Sequence, residues 1–204
     1  MHRIAATVDW EGHPGLGGQL APLLPAVEGH LVPAGHSAVL GGEHPACLYR
    51  DGELTLACDA RIDNRPELEA ALGPLPSEAG DGALILAAYQ RWGSDCPGHL
   101  VGDFAFILWN AADHTLLAAR DGMNMRTLNY LRTPRGVVLA SEGTQLLRHP
   151  TVTPAFSEAG LAGWLSGWPD PDCSLFEGVE VLPPGHALLA TSRGISIHKF
   201  WDID

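Results

Sequence analysis

The sequence predicts an α+β fold in which antiparallel sheets carry layers of helices on their faces. Three observations lead there. Strand-like runs outnumber helical ones; most connections are short and hairpin-like; and GDFAFILWN is apolar on both faces of a strand. Phe104, Phe106 and Leu108 point one way and Ala105, Ile107 and Trp109 the other, so that strand must be covered on both sides.

The elements follow in order. Residues 4–8 are apolar or β-branched and read as a strand beginning at the first residues of the chain. Residues 11–42 are rich in Gly and Pro and read as loops around one short helix at 18–24. Strands at 46–49 and 54–59 flank Arg50-Asp51-Gly52, a hairpin signal. In NRPELEAALG, Asn64 is placed to cap a helix, Glu67 to complete a capping box and Gly73 to stop it. A second helix runs from Asp81, read as its N-cap, to Gly93, with Leu84, Ile85, Ala88 and Trp92 as its inward stripe. Strands are expected at 115–120, 127–131 and 137–140. Ser141 caps a short helix to Leu147, and Ser157 another to about Ser166. The tail reads as strands separated by Pro-Pro-Gly and Ser-Arg-Gly turns.

Composition limits the function classes. With 204 residues, 46% hydrophobic and 18% charged, the chain is read as a single domain over 1–204. A net charge of −12 argues against a phosphate-binding surface and hence against nucleic acid. No run suits a membrane helix, and no basic-then-apolar leader is seen, so a cytoplasmic location is expected. Cys47, Cys58, Cys96 and Cys173 lack framework spacing and read as reduced, buried thiols. GLGG near Gly15 lacks the Lys-Ser/Thr of a phosphate loop, and the ten histidines show no metal-ligand spacing; no metal or cofactor is expected. Trp164 and Trp168, four apart on a helix, read as core packing.

Four blocks stand in order: DARIDNRPEL; DGALILAAYQRWGSDCPGHLVGDFAFILWN; LLAARDGMNMRTLNYLRTPRGVVLASEGTQLL; and FEGVEVLPPGHALLATSRG with a closing FWD. Together they resemble the N-terminal glutaminase domain of the asparagine synthetase family, a class II glutamine amidotransferase. The resemblance implies the N-terminal-nucleophile architecture: a four-layer αββα sandwich of two stacked antiparallel sheets between helical layers.

In that family the chain begins Met-Cys-Gly-Ile, the Met is removed, and the exposed cysteine attacks the glutamine amide with its own α-amine as base. Here His2 takes the nucleophile's place. The family's Asn-Gly-Glu, whose first two residues donate to the oxyanion and whose Glu receives the substrate ammonium, is Asp59-Ala60-Arg61. Losing one oxyanion donor costs about 10²–10³ in rate, and a carboxylate there repels the oxyanion. The arginine that would hold the substrate carboxylate should fall near GHSAV, where His36, Ser37 and Ala38 stand. Asp81 alone matches, aligned with the Asp of the family's S-D-T. The vestigial pocket is therefore expected at His2, Asp59, Ala60, Arg61 and Asp81, without a catalytic residue.

The family's ATP-pyrophosphate loop, S-G-G-x-D-S, is not in the sequence, so a synthetase domain or subunit is the expected partner. Three functions follow: a glutaminase-inactive structural or docking part of an amide-forming ligase, like the Cys-less domains of lasso peptide cyclases and β-lactam synthetases; an amidohydrolase using a repositioned thiol such as Cys58; or a small-molecule binding module reusing the pocket through Arg61. The docking surface is expected at residues 59–63 and 120–126 with Phe200 and Trp201.

Overall fold

The computed structural model describes residues 2–12, 14–24, 30–76, 79–168, 170 and 172–203. Among them lie two six-stranded sheets, antiparallel throughout. The first has the order β10-β8-β9-β1-β3-β2, from β1 (Ile4–Asp9), β2 (His30–Ala34), β3 (Ala38–Gly42), β8 (Asn129–Thr133), β9 (Gly136–Ala140) and β10 (Glu180–Val181). The second runs β12-β11-β7-β6-β5-β4, from β4 (Leu48–Asp51), β5 (Leu54–Ile62), β6 (Gly102–Asn110), β7 (Thr115–Arg120), β11 (His186–Thr191) and β12 (Gly194–Lys199).

The alternation of side chains sorts the core into three slabs. Between the sheets lie Ile4, Ala6, Val8 and Leu40 from the first and Ala57, Ile107, Trp109 and Leu188 from the second. The outer face of the second sheet buries Leu56, Phe104, Phe106 and Leu108 against α2 (Arg65–Leu72) and α3 (Asp81–Trp92), whose Leu68, Leu84 and Ile85 face inward. The outer face of the first buries Ala5, Val138 and Ala140 against α1 (Leu16–Leu20), the 3₁₀ turn Ala21–Leu23 and α4 (Gly143–Leu146). This is the four-layer αββα sandwich, and β6 is covered on both sides.

Several local expectations are corrected. β4 lies two residues later than expected, because Pro45–Cys47 is a 3₁₀ turn capped by His44, whose Nδ1 accepts from the Ala46 amide, and the β4–β5 turn narrows to Gly52-Glu53. Gly52 takes φ +54°, the left-handed conformation that such a two-residue hairpin turn demands. Asn64 sits at the N-cap of α2 but makes no capping bond. Its side chain accepts from Val101 N (3.0 Å) and donates to His99 O (3.0 Å), tying down the lead into β6. Asp81 is the first residue of α3, not its cap; Gly80 is the cap, and the Asp81 carboxylate accepts from Arg65 Nη2 at 3.2 Å. Ser141 does not cap α4. A capping box of Glu142 and Gln145 does, while Ser141 Oγ accepts from Ile4 N at 2.9 Å.

The two tryptophans depart furthest. α5 (Glu158–Ser166) buries none of its residues, and Trp164 and Trp168 are 62% and 86% exposed. Gly167 takes the left-handed conformation and ends the helix before Trp168, so the four-residue repeat breaks and both rings stand in solvent. Among the described residues no helix is long and apolar enough to cross a membrane.

Candidate functional site

β1 is fixed firmly where it begins. Arg3 N donates to Glu43 Oε2 (3.1 Å), Arg3 Nε to Glu142 Oε1 (2.9 Å), and Ile4 N to Ser141 Oγ. These contacts set the direction in which His2 leaves the sheet. Its imidazole is exposed and lies 5.8 Å, centroid to centroid, from that of His44.

Beneath it is a cavity of ≈ 140 Å³ lined by His2, Cys47, Tyr49, Cys58, Asp59, Ala60, Asp81 and Gly82 among others. Four of the five expected residues thus meet: His2 from the residues leading into β1, Asp59 and Ala60 from β5, and Asp81 from the first turn of α3. Arg61 does not join them. It is exposed and pairs with Asp63 (3.1 Å) and Asp103 (3.3 Å), which, led by the hydrogen bonds to Asp63, hold its guanidinium pKa above the usual value. Residues 36–38 stand at the far end of β3, where Ala38 pairs with Val8, and do not line the cavity.

Asp59 is buried between the sheets and has a cation of its own. Arg126 Nε lies 2.7 Å from Asp59 Oδ2, an ion contact without an aligned N–H···O bond. The arginine is presented by a tight loop after β7. The buried Asp121 carboxylate accepts from the amides of Met125 (2.9 Å) and Arg126 (2.8 Å), and Asn124 takes φ +59° to close the turn. Asp59 and Arg126 therefore occupy the site end of the sandwich as a matched pair.

Tyr49 fills the other wall. Its ring packs on the backbone of Gly80 and Gly82, so closely that a Cβ at Gly82 would overlap it. Burial pushes its phenol above the ordinary pKa. The thiols are inert for the same reason. Cys58 is buried on the helix-facing side of β5, and burial first, then the neighbouring Cys47 and acidic groups, drives its pKa far up; Cys47 is raised chiefly by burial too. A thiol acts as a nucleophile only as thiolate, so the geometry opposes the repositioned-thiol reading.

Sequence reasoning missed Tyr49, and it named Arg126 only as the end of the expected docking loop, not as a residue of the pocket. For Tyr49 a signal existed: the family's Ser-Asp-Thr is Gly80-Asp81-Gly82 here, and two lost side chains leave room for one large ring. For Arg126 none did, since its partner is 67 positions away in sequence.

The expected docking elements also resolve. Phe200 stacks on Phe104 at 6.3 Å and belongs to the helix-side core, which is a structural role within this domain. Trp201 is 39% exposed, with its indole against Gly122 and its amide donating to Gly185 O at 3.2 Å.

The family model described as a glutamine amidotransferase domain matches residues 37–201. Asparagine synthetase [glutamine-hydrolyzing] 3 of Bacillus subtilis (strain 168) is 28% identical over 170 residues, covering 80% of this chain and 28% of that protein. Amidase chry2 of Gibberella zeae is 29% identical over 125 residues, 61% of this chain and 18% of the relative. The chain thus spans under a third of these relatives' length. In three dimensions it is similar to an allosteric regulatory enzyme of purine biosynthesis (TM-score 0.62, 14% identity, 98% of this chain and 49% of that one). It also matches a glutamine aminotransferase class-II domain protein of Silicibacter pomeroyi (TM-score 0.53, 14% identity, 99% and 100%). The model match and the shared fold agree: the chain belongs to the glutamine amidotransferase domain family, on the branch related to the asparagine synthetases.

Proposed function

We propose that this domain no longer hydrolyses glutamine and serves as the structural, docking half of an ATP-dependent amide-forming ligase of the asparagine synthetase type. The observation that carries the reading is Asp59, which is paired with Arg126 and lines a ≈ 140 Å³ cavity together with His2. Amide hydrolysis needs donors aimed at the developing oxyanion. Asp59 offers a carboxylate, already engaged by Arg126, and the remaining space is under half the roughly 300 Å³ at which ligand pockets begin. The same small volume weighs against a binding module in the old pocket. A ligase whose amide nitrogen comes from the substrate itself, as in lasso peptide cyclisation, has no need of ammonia and fits a domain kept for its surface.

The purified chain should release no ammonia from glutamine in a coupled glutamate dehydrogenase assay, with and without a synthetase-type partner. His2→Cys alone should not restore it, because Asp59, held by Arg126, and Tyr49 still line the site. Turnover within about tenfold of an intact family glutaminase, by the wild type or by that single variant, would overturn the reading.

A further inference from the structure

β1 has two ends, and the one far from His2 borders a second cavity. It measures ≈ 330 Å³ and lies on the outer face of the first sheet, lined by Thr7, Asp9, Gln19, Thr133, Arg135 and His149. Thr7 is five residues from His2, about 17 Å along an extended strand, so this space is separate from the site described above.

His149 is 2% exposed, and among the described residues its Nε2 has no hydrogen-bond partner. The other ring nitrogen is engaged: the Thr151 amide donates to Nδ1 (3.4 Å), and the Thr151 hydroxyl lies 2.8 Å from it. An amide can only donate, so Nδ1 holds the lone pair and Nε2 holds the proton. Burial lowers the imidazole's pKa and keeps it neutral. The result is an N–H donor in an apolar setting with nothing to receive it, which is costly to leave unmade.

The charges around the cavity decide what could receive it. Arg135 is bound by Asp9 (3.3 Å) and Glu11 (3.6 Å), two carboxylates to one guanidinium. Among the described residues Arg135 is the one cation on the cavity lining, and with its charge engaged by these carboxylates no free positive charge is left to hold an anion. The volume holds about ten water molecules' worth of matter. We propose that this cavity is a binding site for a small neutral molecule with an apolar body and one hydrogen-bond-accepting oxygen, received by His149 Nε2–H.

Benzamide, toluene and benzoate serve as probes, each titrated into the ¹⁵N-labelled full chain and followed by NMR. Benzamide should shift the amides of Thr7, Thr133 and Thr151 saturably and move the His149 Nε2 resonance. Toluene, without an acceptor, should bind about three- to tenfold more weakly, as should benzamide to His149→Phe, while His149→Gln keeps a donor and most of the affinity. Benzoate should bind more weakly than benzamide. Thr133→Trp, at the rim, should block binding without touching the histidine. Equal affinities for benzamide and toluene, shifts confined to the His2 end, or no saturable shifts at all would each overturn the proposal; the last means that water alone fills the cavity.

Discussion

α3 and α5 are both apolar helices with an acidic residue in the first turn and a glycine at the end, yet they meet opposite fates. α3 buries Gly82, Leu84, Ile85, Leu86 and Ala88 against the second sheet. α5 buries nothing, and its Trp164, Leu165 and the following Trp168 are all exposed. Each also has one glycine pressed against a neighbour. For Gly82 the neighbour is the Tyr49 ring; for Gly160 it is the backbone of Ser174 and Leu175. The difference lies in what stands opposite. A helix with a sheet behind it becomes core, whereas one lying on an irregular segment keeps its apolar face outward.

Truncating a side chain should make this difference largest. Leu84→Ala removes fully buried methyls from the helix–sheet slab and should cost about 2–5 kcal/mol of unfolding free energy. Trp164→Ala removes a larger but exposed side chain and should change stability by less than about 0.5 kcal/mol in the isolated chain. Urea unfolding followed by circular dichroism measures both. Comparable losses would mean that α5 is packed after all.

The thiols test the same contrast. Cys96, in the 3₁₀ turn Gly93–His99 that follows α3, is fully buried, and burial pushes it up to about 12. Cys173, beside the segment that Gly160 touches, is only partly covered. Ellman's reagent should find one fast thiol, Cys173, and three that react only as the protein opens. For pH the sign is set by the direction of the shift. The folded thiol titrates later than the unfolded one, so its stabilisation is whole below pH 9 and is lost as pH rises toward 12. That contribution falls by about 1.4 kcal/mol per pH unit within the window, and Cys96→Ala should flatten this part of the profile.

The fold was legible where both faces of an element had stated partners. β6, apolar on two sides, implied two covering layers, and the stripe Leu84, Ile85, Ala88 identified the face that α3 turns inward. Trp164 and Trp168 misled because periodicity reports a face, not what stands opposite it. Asn64, Asp81 and Ser141 misled because a polar side chain at a helix start can serve a distant strand or arginine as well as its own helix. The family's motifs named His2, Asp59, Ala60 and Asp81, and these line one cavity. Arg61 was placed there by motif alone, and two nearby aspartates hold it outside. Arg126 and Tyr49 reach the site through loop geometry and vacated space, neither of which leaves a spacing to read.

The Tyr49–Gly82 contact sharpens the account of α3's buried end. Gly82→Thr restores the residue type of the family motif but drives a branched side chain into the phenol ring. It should cost about 1–3 kcal/mol as an overpacked site. Tyr49→Ala in the same chain should recover much of that loss, because the ring is the obstacle. A double-mutant cycle with additive effects would separate the two residues and undo the statement that Tyr49 occupies the space of the missing side chains.

The smallest effect is expected at the start of α5. Ser157 caps this helix: its Oγ accepts from the Gly160 amide at 3.2 Å. Such a bond is worth about 1 kcal/mol to the helix it begins. In α3 a loss of that size would pass into global stability, because the helix cannot loosen without exposing the slab beneath it. α5 has no buried residue to transmit it. Ser157→Ala should therefore leave the global urea midpoint nearly unchanged while raising hydrogen exchange at the amides of Gly160 and Leu161 by about fivefold, a local opening. A clear fall in the midpoint would show that α5 is coupled to the core through the Gly160 contact. An unchanged exchange rate would show that the cap contributes nothing and that the contact with residues 174 and 175 alone holds the helix.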